Sequence, residues 1–223
     1  MSGLTPSSTQ TVEALAVFTT LRHFQYTLSR LRTIATVANA EAGPIRTTPS
    51  SLIGKIITPI HALSVLTPPV TYILCVTFNR LAQPAWMLRM SLSNTYFTHE
   101  IEVGLRVAAC AATFVLNGFT RRAFTHLGNQ WHLIGRREKS RIVQTGPYAI
   151  VRHPLYTSVL IQGLLFTLMT WSYAPLVGSA IATGLSAVKL LVEEDLILQD
   201  PAVAGEYRAY MQKVPARLIP FLW

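Results

Sequence analysis

The chain has 223 residues, half of them hydrophobic and only 13% charged, against about 25% charged in an average soluble domain. Such a balance leaves too little polar surface for a soluble globule and excludes a disordered chain, and two cysteines, Cys75 and Cys110, do not make a disulfide scaffold. Nineteen basic residues against ten acidic ones give a net charge of +9; with long uncharged stretches and no nucleic-acid-binding signature, that surplus reads as basic loops lying against a membrane, and no nucleic-acid partner is expected.

The start of the chain lacks a basic n-region, and Glu13, Thr19 and Thr20 interrupt the apolar stretch that follows, so it does not read as a signal peptide. Residues 11–38 read as a helix with one apolar side, carrying Leu15, Phe18, Leu21 and Leu28, and with Arg22, Arg30 and Arg32 elsewhere on it. That pattern predicts an interfacial helix, with a short, poorly apolar span as the competing reading. Residues 39–51, with their Pro, Gly, Ser and Thr, read as a linker.

No Lys, Arg, Asp or Glu occurs in 56–79, a length that crosses a bilayer as a helix. Pro59, Pro68 and Pro69 predict kinks in it, and His61 lies inside it as an ionisable residue at membrane depth. Residues 80–100 form a polar connection whose Trp86, Tyr96 and Phe97 suit a membrane boundary. A second span is expected over 101–120, with Arg106 snorkelling near one end and Arg121 and Arg122 closing it off. Residues 121–153 carry seven Arg and Lys against a single acid, Glu138, and so are expected on the cytosolic side. The uncharged run from 154 to 188 is too long for one crossing. It reads as a helical hairpin of about 156–173 and 176–194 turning near Pro175, whose second arm carries the small pairs Gly178/Ala182 and Ala180/Gly184 for close packing.

The expected fold is therefore all-α: a polytopic transmembrane helical protein of about four spans plus an N-terminal interfacial helix, with a C-terminal helical hairpin and a cytosolic cleft. Residues 1–51 make the N-terminal interfacial segment and linker, 52–122 two transmembrane spans, and 123–223 the loop, hairpin and C-terminal segment. Both chain ends are then cytosolic.

Chemistry-bearing residues collect in three blocks of that last part. In the first, Gly146-Pro147 forces a turn and Pro154 opens a helix, so Arg152 and His153 stand at a helix N-terminus, where free N–H groups suit an anion. Tyr148 and Tyr156 flank it with aromatic faces attractive to a sulfonium or ammonium cation. The second block is Lys189, Glu193, Glu194 and Asp195; Lys189 and Glu193 share a helix face. An acidic cluster near a helix C-terminus opposes the helix dipole and so asks for a reason. Lys189 either snorkels or neutralises an anionic substrate. The third block is Tyr207, Tyr210, Val214-Pro215 and Arg217-Leu218-Ile219-Pro220, followed by an apolar tail of Phe221, Leu222 and Trp223. No Rossmann, P-loop or nucleophile-elbow motif is present, and His126 and His132 lack the spacing of zinc ligands, so no metal is expected.

These blocks, in this order and spacing over about residues 125–223, resemble the isoprenylcysteine carboxyl methyltransferases. The resemblance implies a multi-pass enzyme of the endoplasmic reticulum membrane, with its active site facing the cytosol. It would use S-adenosyl-L-methionine and methylate the C-terminal carboxylate of a prenylated cysteine, its partners being prenylated protein C-termini or other lipophilic carboxylates and membrane lipid. By position it implies cofactor contacts at Tyr148, His153, Pro154, Leu155, Tyr156 and at Glu193 or Glu194, with Ser140, Arg141, Ile142 and Val143 beside them. Lys189 falls where the family carries a basic residue near the substrate carboxylate, and Lys189 or Arg152 would stabilise that group. A carboxylate is already ionised at neutral pH, so such a reaction needs alignment and loss of water rather than a general base.

Two other enzymes fit the same motifs. One is a membrane methyltransferase acting on a small lipophilic acid, lipid or amine. The other is an NADPH-dependent membrane reductase of related architecture, against which the acidic pair argues because it would repel a 2′-phosphate. A non-catalytic membrane protein that kept the fold is the third reading. All of the enzymatic readings require the Tyr148–Tyr156 loop and the Glu193 region to meet in one cleft.

Overall fold

The computed structural model describes residues 7–92 and 96–221. Leu222 and Trp223 of the expected tail, and Met1–Pro6, lie outside the described residues. The first helix, α1, spans Ser8–Glu41 and starts at a capping box: the Ser7 hydroxyl accepts from Gln10 N–H while the Gln10 side chain accepts from Ser7 N–H. Then follow the short strand β1 (Ile45–Thr47), α2 (Leu52–Phe78), the single turn α3 (Ala85–Leu88) and α4 (His99–Leu127). Strand β2 (Arg136–Arg137), the hairpin helices α5 (Pro154–Thr170) and α6 (Ala174–Leu198), and α7 (Ala204–Lys213) complete the chain.

Three helical stretches are long and apolar enough to cross a membrane: Leu52–Phe78, His99–Gln130 and Ala174–Leu198. Helix α5, the hairpin's first arm, has 17 residues, or about 25 Å at 1.5 Å per residue, just short of the ~30 Å hydrocarbon core. On α2 the apolar residues Ile56, Ile60, Leu63, Leu66, Val70 and Leu74 are exposed at helical spacing. On α6, Val177, Ile181, Val188 and Leu191 do the same. Helices that turn such stripes outward are solvated by lipid rather than by water. Pro59, Pro68 and Pro69 all sit inside α2 without ending it.

Helix α1 departs from expectation. It runs lengthwise along the bundle, antiparallel to α2 and parallel to α4, rather than lying across the bundle's end. The Gln10 side chain reaches Arg80 O at one end, His23 meets Asn117 midway, and Asn39 and Glu41 meet Arg137 and Asn129 at the other. Two features pull it in. Ala16, Thr19 and Thr20 are small enough for close approach, and all three are buried. Glu13, 1% exposed, forms an ion pair with Arg106 at 2.5 Å and accepts a hydrogen bond from the Tyr72 hydroxyl. Arg106 therefore does not snorkel; it is 4% exposed and also bonds Met169 O and Glu102. The start of α1 lies at the end of the bundle opposite the 128–153 loop, so the two ends of the described chain are not on one side.

Smaller corrections follow from packing. The linker contains β1, whose β-branched Ile45 and Thr47 pair antiparallel with Arg137 and Arg136 and so tie it to the loop after α4. Helix α4 continues beyond Arg121 and Arg122 to Leu127, because both arginines are exposed and interrupt no packed face. The hairpin turns at Trp171, which takes a left-handed φ of 52°. Of the two small pairs on α6, Ala182 is buried and Gly178 packs against Pro68 of α2, whereas Ala180 and Gly184 face outward.

Candidate functional site

Tyr148 sits in a 3-10 turn, Gly146–Ala149, opened by Gly146 at φ 60°. That positive φ favours glycine, and the ring of His126 packs so closely that a Cβ at 146 would lie 2.4 Å from it. The turn carries the chain back over the end of α4, whose His126 Nδ1 meets Thr145 Oγ1 at 3.0 Å. Tyr148 is buried, its carbonyl accepts from the Tyr210 hydroxyl at 2.6 Å, and burial pushes its own hydroxyl well above the usual tyrosine pKa. Helix α5 then begins at Pro154.

The N-terminus of α5 is covered by the end of the chain. Arg152 N–H and His153 N–H donate to Ala216 O and Arg217 O, both at 3.0 Å, and the Thr157 hydroxyl donates to Leu218 O at 2.7 Å. The third sequence block is thus a strap over the first. Leu218, 1% exposed, locks it down.

The adjacent acids of α6 divide the labour. Glu194 is 4% exposed, and both its oxygens are engaged. Its Oε1 accepts from Arg152 Nε at 3.0 Å and lies 3.1 Å from His153 Nε2; its Oε2 accepts from Arg217 Nε at 3.1 Å. Arg152 also donates to Val214 O and Pro215 O. Glu194 and Arg152 are therefore the rivet between hairpin, loop and strap. Glu193 instead faces a cavity of about 470 Å³ and accepts from the Tyr156 hydroxyl at 2.6 Å, with His153 Nδ1 at 3.9 Å.

Of the expected contacts, Arg141, Ile142 and Val143 line this cavity, as do Tyr148, His153, Leu155, Tyr156, Glu193 and Lys189. Arg152 reaches its wall while holding Glu194. Three do not line it, and the reason is local in each case. The Ser140 hydroxyl turns back to Arg137 O at 2.6 Å, Pro154 is buried as the first residue of α5, and Glu194 is enclosed by its cations. Lys189 is 5% exposed, with its ammonium 5.5 Å from the centre of the Tyr156 ring. Among the described residues it makes no ion pair and no hydrogen bond; Glu193, one turn on, is within electrostatic range.

The sequence reading passed over several wall residues. His132 and Arg136 line the cavity, held there by β2 and by Gln130, whose side chain accepts from Arg141 N–H and donates to Lys139 O. Burial, with the Arg136, Arg137 and Lys189 cations nearby, depresses His132 to about 3, so its ring is neutral. His61 of α2 meets Ser186 of α6 at 3.0 Å and stands edge-on to Tyr156. Only the burial pattern marks His132 and Arg136, the latter one basic loop residue among seven, whereas His61 stands out in sequence inside its charge-free run. Below this polar end the cavity descends between α1, α2, α5 and α6 along Leu28, Leu31, Val65, Leu66 and Phe166. It is charged at one end and oily at the other, where Leu28 and Leu66 are also exposed, a lining that suits an amphiphile.

Residues 107–199 match the family model described as isoprenylcysteine carboxyl methyltransferase (ICMT) family. No curated protein matches the chain. The matched stretch contains α5, α6 and the loop before them, the parts that bring Tyr156 against Glu193 and Arg152 against Glu194. Over this stretch the chain is therefore similar to the isoprenylcysteine carboxyl methyltransferase family.

Proposed function

We propose that the chain transfers a methyl group from S-adenosyl-L-methionine to the C-terminal carboxylate of a prenylated cysteine, at the endoplasmic reticulum membrane, with the 128–153 loop in the cytosol. The observation that carries this reading is Lys189. A cation so buried, with no carboxylate in contact, is costly unless a ligand supplies the anion. The oily depth beneath it suits the lipid tail of that anion's owner.

The donor set also fits the cofactor. When bound, the cofactor supplies a methyl carbon activated by a positive sulfur. Tyr148 and Tyr156 offer aromatic faces to such a charge, and Glu193 offers a carboxylate to ribose hydroxyls or an ammonium group. His153 and Tyr156 orient Glu193. Lys189 holds the acceptor carboxylate against burial and keeps it ionised, so that the nucleophile needs no proton removed. Ile142, Val143 and Leu155 exclude water from the reacting groups. The cytosolic orientation is supported by the seven basic residues of 121–153.

The test is a detergent-solubilised assay with methyl-labelled cofactor across a panel of prenylcysteine analogues, small lipophilic acids and amines. Methyl-ester formation on the prenylcysteine analogue is expected. Transfer confined to small acids or amines would move the substrate assignment, and no transfer to any acceptor would overturn the reaction.

A further inference from the structure

The cavity wall carries more positive charge than one acceptor carboxylate explains. Besides Lys189, it includes the guanidinium of Arg136, which is 6% exposed. Arg136 Nε forms a long ion pair with Asp200 Oδ2 at 3.5 Å, on one edge of the guanidinium only, and Nη2 is buried with no hydrogen-bond partner. Next to it, His132 Nδ1 is also buried without a partner. Native proteins rarely leave such polar atoms unmet, because each costs the desolvation of the group. Both side chains border the compartment that holds Glu193 and Tyr207. The loop has a separate tie in Arg137, which donates to Trp131 O, Asn39 Oδ1 and Gly43 O.

Resting on the function proposed above, we infer that Arg136, with His132 beside it, is the anchor for the α-carboxylate of S-adenosyl-L-methionine. The wall then holds two separate anion seats, Arg136 for the cofactor and Lys189 for the acceptor. Separate seats suit a transfer in which two carboxylates occupy one cavity, since a shared cation would let either ligand take the other's place. A forked guanidinium also offers paired donors to a carboxylate, which a point charge does not.

The test compares binding of S-adenosyl-L-methionine with binding of its decarboxylated form, by calorimetry on the full chain in detergent. Wild type is expected to bind the carboxylated ligand more tightly by about 10- to 100-fold. In Arg136→Gln that ratio collapses towards one while affinity for the decarboxylated ligand holds. Retained affinity there shows that the variant is folded. Arg136→Lys keeps the charge without the fork and lowers the ratio only in part; should the glutamine variant not be recoverable, the lysine variant carries the comparison. An unchanged ratio in both variants, equal loss of both ligands, or an effect only on acceptor KM overturns the inference. If wild type binds neither ligand, the proposed function fails instead.

Discussion

The two ends of the helical bundle treat buried charge in opposite ways. At the end away from the site, Glu13 and Arg106 face each other, and Tyr72, Gln83, Glu102 and the Met169 carbonyl complete their hydrogen bonds. At the site end, Glu194 is matched just as fully, whereas Lys189 meets no carboxylate among the described residues and Arg136 keeps an unbonded Nη2 beside its one long ion pair with Asp200. Low dielectric surroundings make both arrangements strong, and only the second leaves charge for a ligand to complete. A fully answered buried charge holds helices together; an open one marks where something binds. Glu193 and Glu194, adjacent on α6, reproduce the contrast in miniature.

The largest expected effect breaks the open side. Glu193→Gln lowers kcat/KM by at least about 100-fold, since misplaced binding groups cost that much, while the melting temperature stays close to wild type. A variant with near-normal methyl transfer would remove Glu193 from the site.

The answered side is broken by Glu194→Gln or Glu13→Gln. Each strands buried cations and costs about 3–5 kcal/mol, read as a lower melting temperature in detergent. The pair Glu13→Gln with Arg106→Met regains most of the loss without altering cofactor affinity. A double variant no better than the single one would show that the ion pair is not what seats α1.

A sharper contrast comes from Lys189→Met. Removing an unmatched buried cation raises the melting temperature, yet kcat/KM on a prenylcysteine analogue falls about 10- to 100-fold. Lower stability together with unchanged activity would contradict the role given to this lysine.

The smallest effect concerns acid. His132 is depressed to about 3 in the fold, against about 6.5 when unfolded. The neutral ring's contribution to stability is therefore full above the unfolded value and is lost as pH falls from there towards the folded one. His132→Gln is expected to flatten the decline in melting temperature over that window; an equally steep decline would place the titration elsewhere.

Much of this was legible in the chain. The charge-free run of 56–79 and the long apolar run after Pro154 announce α2 and the hairpin, and the Tyr148–Tyr156 block with Glu193 announces the cleft. The placement of α1 is less legible, because its arginines look interfacial, while what seats it, Arg106, lies 93 residues away from Glu13. The division between Glu193 and Glu194 was equally hidden. Neighbours on a helix point about 100° apart, and which of them meets the strap depends on where Arg217 returns. Arg136 escaped notice because a basic loop explains any one of its members.

Gly178 has a consequence for what the cavity admits. A Cβ there would lie 2.6 Å from Pro68 Cγ, and one at Gly163 would lie 2.2 Å from Ser179 Oγ. All four residues line the cavity, and Pro68 and Gly178 border a second one as well. The tightest crossings of α6 with its neighbours therefore also line the cavity, and a methyl group added at either glycine would push the walls there apart or intrude on the space between them.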